Sequence, residues 1–120
     1  MWIVEYTDEF EDWWDTLSES TQIDLAASVG LLEQFGSNLK FPHSSSIYGS
    51  KHNHMRELRI QHKGSPLRVL YAFDPRRHAI LLIGGDKTGK DRWYETFIPT
   101  ADKLYDIHLK ELIKERIIHD

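Results

Sequence analysis

The stretch Leu67-Arg68-Val69-Leu70-Tyr71-Ala72-Phe73-Asp74-Pro75 decides how the rest of the 120-residue chain is read. Val69, Tyr71 and Phe73 share one parity while Arg68 takes the other, the period of two of a strand with one face on a core. Asp74-Pro75-Arg76-Arg77 ends it as a turn, because the proline ring fixes φ and the Asp74 carboxylate can bond its own backbone. Beyond the turn, Ala79-Ile80-Leu81-Leu82-Ile83 is apolar on both parities, which predicts a strand inside a sheet. On the other side Met55 to Gln61 alternates, with Arg59 opposed to Leu58, and His62-Lys63-Gly64-Ser65-Pro66 is a short turn. Short turns joining successive strands predict an antiparallel meander, since parallel neighbours need a crossover of about a dozen residues or more.

The hairpin also fixes a register. With the turn centred between Lys63 and Gly64, Arg59 falls directly opposite Arg68 on the same face. Two guanidinium groups so placed repel, which fits a site built for an anion unless carboxylates such as Glu57 or Asp86 pair with them. Just past the third strand, Gly84-Gly85-Asp86-Lys87-Thr88-Gly89-Lys90-Asp91 comes within one residue of the phosphate-binding pattern G-x-x-x-x-G-K-[ST], with Asp91 where a hydroxyl belongs. That loop requires a parallel strand before it and a helix directly after it. An antiparallel meander and a helix expected only from Pro99 argue against it. What remains is a sheet-end loop carrying Lys87, Lys90, Arg92 and Tyr94.

Outward from the meander, Trp2 to Tyr6 reads as a short first strand and Thr7-Asp8 as a helix N-cap. Phe10, Trp13, Trp14 and Leu17 recur at helical spacing, as do Leu25, Ala26, Val29 and Leu32 before Gly36, so two amphipathic helices precede the sheet. Their aromatic stripe is read as core, because the surrounding carboxylates would repel nucleic acid. Residues 37–54 show no period and are expected to form a long loop, of the kind that often carries function. Pro99, Ala101, Leu104, Tyr105, His108 and Leu112 predict a C-terminal helix opening at the proline.

With 40% hydrophobic and 12% aromatic residues, the chain supports one core, so residues 1–120 are expected to form a single domain. Without cysteine, disulfides, thiolate metal sites and a cysteine nucleophile are excluded. The absence of a long apolar run or a leader pattern predicts a soluble cytoplasmic protein with no membrane contact. The formal charge of −4 is unevenly spread. Residues 1–50 hold Lys40 against nine carboxylates, whereas residues 51–94 hold ten cations against four. A polyanion would be drawn to the face built by the middle third. His52-x-His54 lacks a third ligand of suitable spacing, so no metal is expected, and His54 is a candidate proton donor instead.

The linked segments Met55-Arg56-Glu57-Leu58-Arg59-Ile60, Leu67-Arg68-Val69-Leu70-Tyr71-Ala72-Phe73-Asp74-Pro75 and Ala79-Ile80-Leu81-Leu82-Ile83-Gly84-Gly85-Asp86-Lys87 resemble those of the RelE/ParE superfamily of type II toxins, in particular its HigB-like, phage-derived branch. The resemblance implies an α+β, RelE-like fold, a mainly antiparallel sheet packed on two N-terminal helices with a C-terminal helix. It implies a toxin that enters the ribosome and cuts mRNA by 2′-OH attack, without metal or other cofactor. Arg59 and Arg68 match the family's strand arginines, which hold or neutralise the scissile phosphate, and Lys87 matches the basic residue ending the last strand.

Tyr94 is the candidate acid or stacking ring. Arg56, Lys63, Lys90, Arg92 and His54 are the further candidates for holding RNA. The implied partners are the ribosome, mRNA and a helix-turn-helix, HigA-like antitoxin, with operator DNA reached only through that antitoxin. A gyrase inhibitor of the ParE kind and a catalytically silent protein-binding module remain alternatives on the same fold.

Overall fold

A computed structural model describes residues 1–119. In chain order it contains β1 (Val4–Tyr6), α1 (Asp8–Asp15), α2 (Glu19–Phe35), β2 (Ser44–Ser46), β3 (Arg56–His62), β4 (Ser65–Phe73), β5 (Ala79–Asp86) and α3 (Trp93–Lys114). One five-stranded sheet runs β1-β5-β4-β3-β2. The antiparallel meander of β3, β4 and β5 is as expected, and Arg59 is indeed paired with Arg68. β1 adds itself beside β5 in parallel, so the sheet is mixed. Among the described residues no helix is long and apolar enough to cross a membrane.

Local chemistry starts the first helix where the sequence places it, and a second cap starts α2. Thr7 caps α1, its hydroxyl accepting the Phe10 amide at 3.0 Å while donating to the Leu82 carbonyl at 2.6 Å, which ties the cap to β5. Ser18 caps α2 by accepting the Thr21 amide at 3.3 Å. Each cap satisfies a helix-end N–H that has no partner within its own helix.

The sheet has two covered faces. Leu58, Ile60, Val69, Tyr71 and Leu81 pack with Phe10, Leu25 and Leu32 from the N-terminal helices. Met55, Leu70, Ala72, Ile80 and Leu82 pack with Trp93, Ile98, Ala101 and Tyr105 from α3. This double cover explains why β5 is apolar on both parities. It also changes the reading of β4, whose second face lies under α3 instead of in water.

The helix α3 begins at Trp93 and not at Pro99, which sits inside it. A proline there forfeits one helical hydrogen bond, but packing decides the start. Trp93 is 2% exposed, and burying a large aromatic contributes roughly 2–3 kcal/mol. The strand end makes room for it: a Cβ on Gly85 would lie 2.8 Å from Trp93 Nε1, and one on Gly84 would lie 2.2 Å from the Trp13 ring on the opposite face. Gly84-Gly85 therefore lets one indole approach the backbone from each side, a packing role in place of a phosphate cradle. The loop expected over residues 37–54 contains β2, which pairs Ser45 with Glu57 at the sheet edge.

Candidate active site

Past the end of the packing under α3, the second face of the sheet becomes polar. Glu57 and Arg59 are two residues apart on β3 and therefore share that face, with Arg68 beside them on β4. Glu57 is the hub. Its Oε2 accepts the Ser45 hydroxyl at 2.7 Å and Arg59 Nη1 at 3.3 Å. Its Oε1 accepts the Tyr94 hydroxyl at 2.5 Å and lies 3.5 Å from Arg68 Nε. The repulsion between the two arginines is thus answered by a carboxylate between them. Of the two acids within reach in the sequence, Asp86 is used elsewhere, accepting the Thr88 amide at 2.9 Å and the Thr88 hydroxyl at 2.6 Å.

Those last bonds also bear on the phosphate-loop pattern. The loop's amides face inward: Thr88 N–H goes to Asp86, Lys87 N–H to the Pro66 carbonyl and Lys90 N–H to the Lys87 carbonyl. Although α3 starts sooner than expected and β5 has a parallel neighbour, these internally bonded amides cannot ring a phosphate.

Access divides the cluster. The side chains of Glu57 and Arg68 are only 5% and 7% exposed, whereas that of Arg59 is 30% exposed. Arg68 donates from Nη1 to the Leu67 carbonyl at 2.9 Å, and its Nε makes no hydrogen bond among the described residues. Arg68 is accordingly a buried charge beneath the cluster, and Arg59 is the arginine open to solvent.

Lys87 places its ammonium 5.1 Å from the centre of the Tyr94 ring. Its pKa is lowered by burial and by the Arg68 charge, with Glu57 opposing. Tyr94 is shifted the other way: burial, then its bond to Glu57, raises its pKa so that the phenol keeps its proton. A half-buried cluster with an amine easier to deprotonate and a phenol harder to deprotonate is suited to moving protons.

The structure therefore unites Arg59, Arg68, Lys87 and Tyr94. Lys63, in an exposed turn with φ 48°, and the exposed Lys90 and Arg92 lie at the same end of the sheet, where they enlarge the cationic surface. Arg56 and His54 are not brought in. Arg56 points to the opposite face and spends its guanidinium on Ser44 Oγ at 3.0 Å and Ser46 Oγ at 3.1 Å. His54 packs at the far end of β3, its Nε2 3.3 Å from the Tyr105 hydroxyl, and burial followed by the neighbouring His52 lowers its pKa. His52 pairs with Asp106 at 2.9 Å, so the two histidines brace the loop against α3. Glu57, named in the sequence only as a carboxylate that could pair with the arginines, also binds Ser45 and Tyr94, contacts with segments distant in the chain that no local pattern signals.

Residues 12–106 match the family described as phage derived protein Gp49-like (DUF891). The chain is 40% identical over 96 residues to "Putative toxin HigB3" of Mycobacterium tuberculosis, covering 79% of this chain and 82% of that one. It is 38% identical over 101 residues to "Putative toxin HigB2" of the same organism, covering 82% of this chain but half of that longer one. Among solved structures, the isolated E. coli RelE toxin superimposes with a TM-score of 0.56 at 11% identity, covering 79% of this chain and 94% of that one. A chain of the intact E. coli RelBE toxin–antitoxin complex gives 0.54 at 12% identity, covering 71% and 95%. The fold is RelE-like, and at these identities the structural likeness is one of fold.

Proposed function

The chain belongs to the phage-derived Gp49-like family, in which HigB-type toxins are its relatives, and from that premise we propose that it is a toxin that cuts mRNA on the ribosome. The observation that carries the reading is the convergence of Arg59 and Tyr94 on one carboxylate, Glu57, with the Lys87 ammonium over the Tyr94 ring, at the cationic end of the sheet.

The chemistry that suits these groups is self-cleavage of RNA. The 2′-oxygen bonds to the adjacent phosphorus, the bond from phosphorus to the 5′-oxygen breaks, and the products are a 2′,3′-cyclic phosphate and a 5′-hydroxyl. One proton leaves the 2′-OH and one must reach the departing 5′-oxygen. Lys87, with its lowered pKa, takes the first. Tyr94, which retains its proton, supplies the second. Arg59 stabilises the charge that builds on the phosphorane oxygens, while Glu57 and the buried Arg68 position these three groups. The scheme assigns every step to a side chain and requires no metal ion.

A free toxin of this kind needs a neutralising partner, here a helix-turn-helix, HigA-like antitoxin that also links the pair to operator DNA. The first turn of α1 carries Asp8, Glu9 and Glu11, a surface on which a basic partner docks without covering the site. Strong induction of the chain in a bacterium, with transcript 5′ ends mapped before and after, tests the proposal. New 5′-hydroxyl ends within translated mRNA are expected. Arrest through DNA damage with transcripts intact would favour gyrase as the target, and unchanged growth with abundant folded protein would overturn the toxin reading.

A further inference from the structure

Two large aromatic side chains near the site have no packing role to explain them. Phe41 is 70% exposed and Tyr48 is 94% exposed. Both belong to the segment that carries β2, and they stand at its opposite ends. Phe41 precedes β2 on the side where the His43 carbonyl accepts the Arg59 amide at 2.9 Å, and the Arg59 guanidinium carbon lies 5.0 Å over the Phe41 ring. Tyr48 follows β2 and lines a recess of about 300 Å³ with Ser46, Ile47, Glu57 and Tyr94.

We infer that Phe41 and Tyr48 are stacking platforms that hold bases of a single-stranded RNA on either side of the Arg59–Glu57 centre. The inference rests on the ribonuclease reading above and names how that site grips its substrate. Base stacking on aromatic rings is the usual means of holding unpaired nucleotides, because every base offers a flat face. The placement suits such a ligand. Along the β2 edge the two rings fall on either side of the stretch of β3 that carries Glu57 and Arg59, and the Arg59 guanidinium beside Phe41 is where a phosphate would sit. Arg59 covers one face of Phe41, an arrangement that fixes the ring by a cation–π contact and leaves the other side to a base. Tyr48 presents its ring at the mouth of a recess whose inner wall is made by Glu57 and Tyr94. A protein partner would also accept exposed aromatics, but the Arg59 guanidinium set against Phe41 favours a polyanion.

The test uses the full chain and a short single-stranded RNA in which 2-aminopurine replaces single bases and 2′-deoxy sugars prevent cleavage. Stacking quenches the fluorescent base. The wild-type chain is expected to quench it at positions on both sides of the bound phosphate. Phe41→Leu and Tyr48→Leu are expected each to abolish quenching on one side and to weaken binding about tenfold, as loss of one stacked base does, with melting temperatures unchanged. Equal binding and quenching by wild type and both variants would overturn the inference.

Cleavage of mRNA in a translating extract separates this failure from failure of the nuclease reading. If wild type cuts and both variants cut the same sites at the same rate, the rings are not base platforms and the nuclease reading stands. If wild type neither cuts nor binds the oligonucleotide, both ideas fall. Variants that handle RNA normally but lose affinity for the antitoxin would assign the rings to a protein interface and overturn the inference.

Discussion

The Tyr94 hydroxyl meets Glu57 Oε1 at 2.5 Å, joining the first turn of α3 to the middle of the sheet. Tyr94→Phe removes a proton donor and one of the partners of a buried carboxylate. The expected result is a loss of about 10² in the rate of mRNA cleavage with a stability cost of about 1–2 kcal/mol. Parallel measurement of single-turnover rates and urea midpoints checks it; a variant that cuts at the wild-type rate would remove Tyr94 from proton transfer.

Arg59 and Arg68 should behave differently despite facing each other across the hairpin. Arg59→Ala is expected to lower cleavage by about 10²–10³ while the melting temperature hardly moves, because the side chain is partly exposed and Glu57 keeps its other donors. Arg68→Ala strips charge from beside a buried carboxylate and should cost about 3–5 kcal/mol, as breaking a buried pair does. Thermal melts of the two variants decide the matter, and equal stability would contradict the burial argument.

Lys87 has a pKa below its ordinary value of 10.5, and the sign of its effects follows. The folded chain disfavours the charged amine, so a stability penalty is present below the folded pKa and disappears as pH rises through it toward 10.5. Cleavage should increase with pH up to the same folded pKa as the amine becomes free to accept a proton. Lys87→Arg, which keeps the charge but stays protonated, is expected to abolish that rising limb and most of the activity. Full activity with an unaltered pH profile would leave Lys87 as a charge stabiliser only.

Gly85→Ala drives a Cβ to 2.8 Å from Trp93 Nε1. Overpacking of this kind costs about 1–3 kcal/mol, and displacement of Trp93 carries the adjacent Tyr94 away from Glu57, so activity should fall with stability. Gly30→Ala in α2 is the control. Nothing lies within 4 Å of the added methyl, and replacing a helix-interior glycine should stabilise by about 0.5–1 kcal/mol. Chemical denaturation of both variants reads the difference in sign.

Features that depend on neighbours along the chain were legible in the order of residues. Alternation of period two marked β3 and β4, the Lys63-Gly64 turn set the pairing of Arg59 with Arg68, and Thr7 announced the start of α1. Each rests on local geometry that a few residues enforce. The short β2 escaped notice because three serines carry no periodic signal, and the start of α3 was misread because Pro99 outweighed a packing contact invisible along the chain.

The meaning of the arginine pair comes from contacts between segments distant in the chain. Burial of Arg68 follows from α3 lying across the second face, and the gathering of Ser45, Glu57, Lys87 and Tyr94 requires four segments to meet. Charge compensation and access to a ligand are set by which groups are brought within a few ångströms and kept from water, and strand periodicity carries neither quantity.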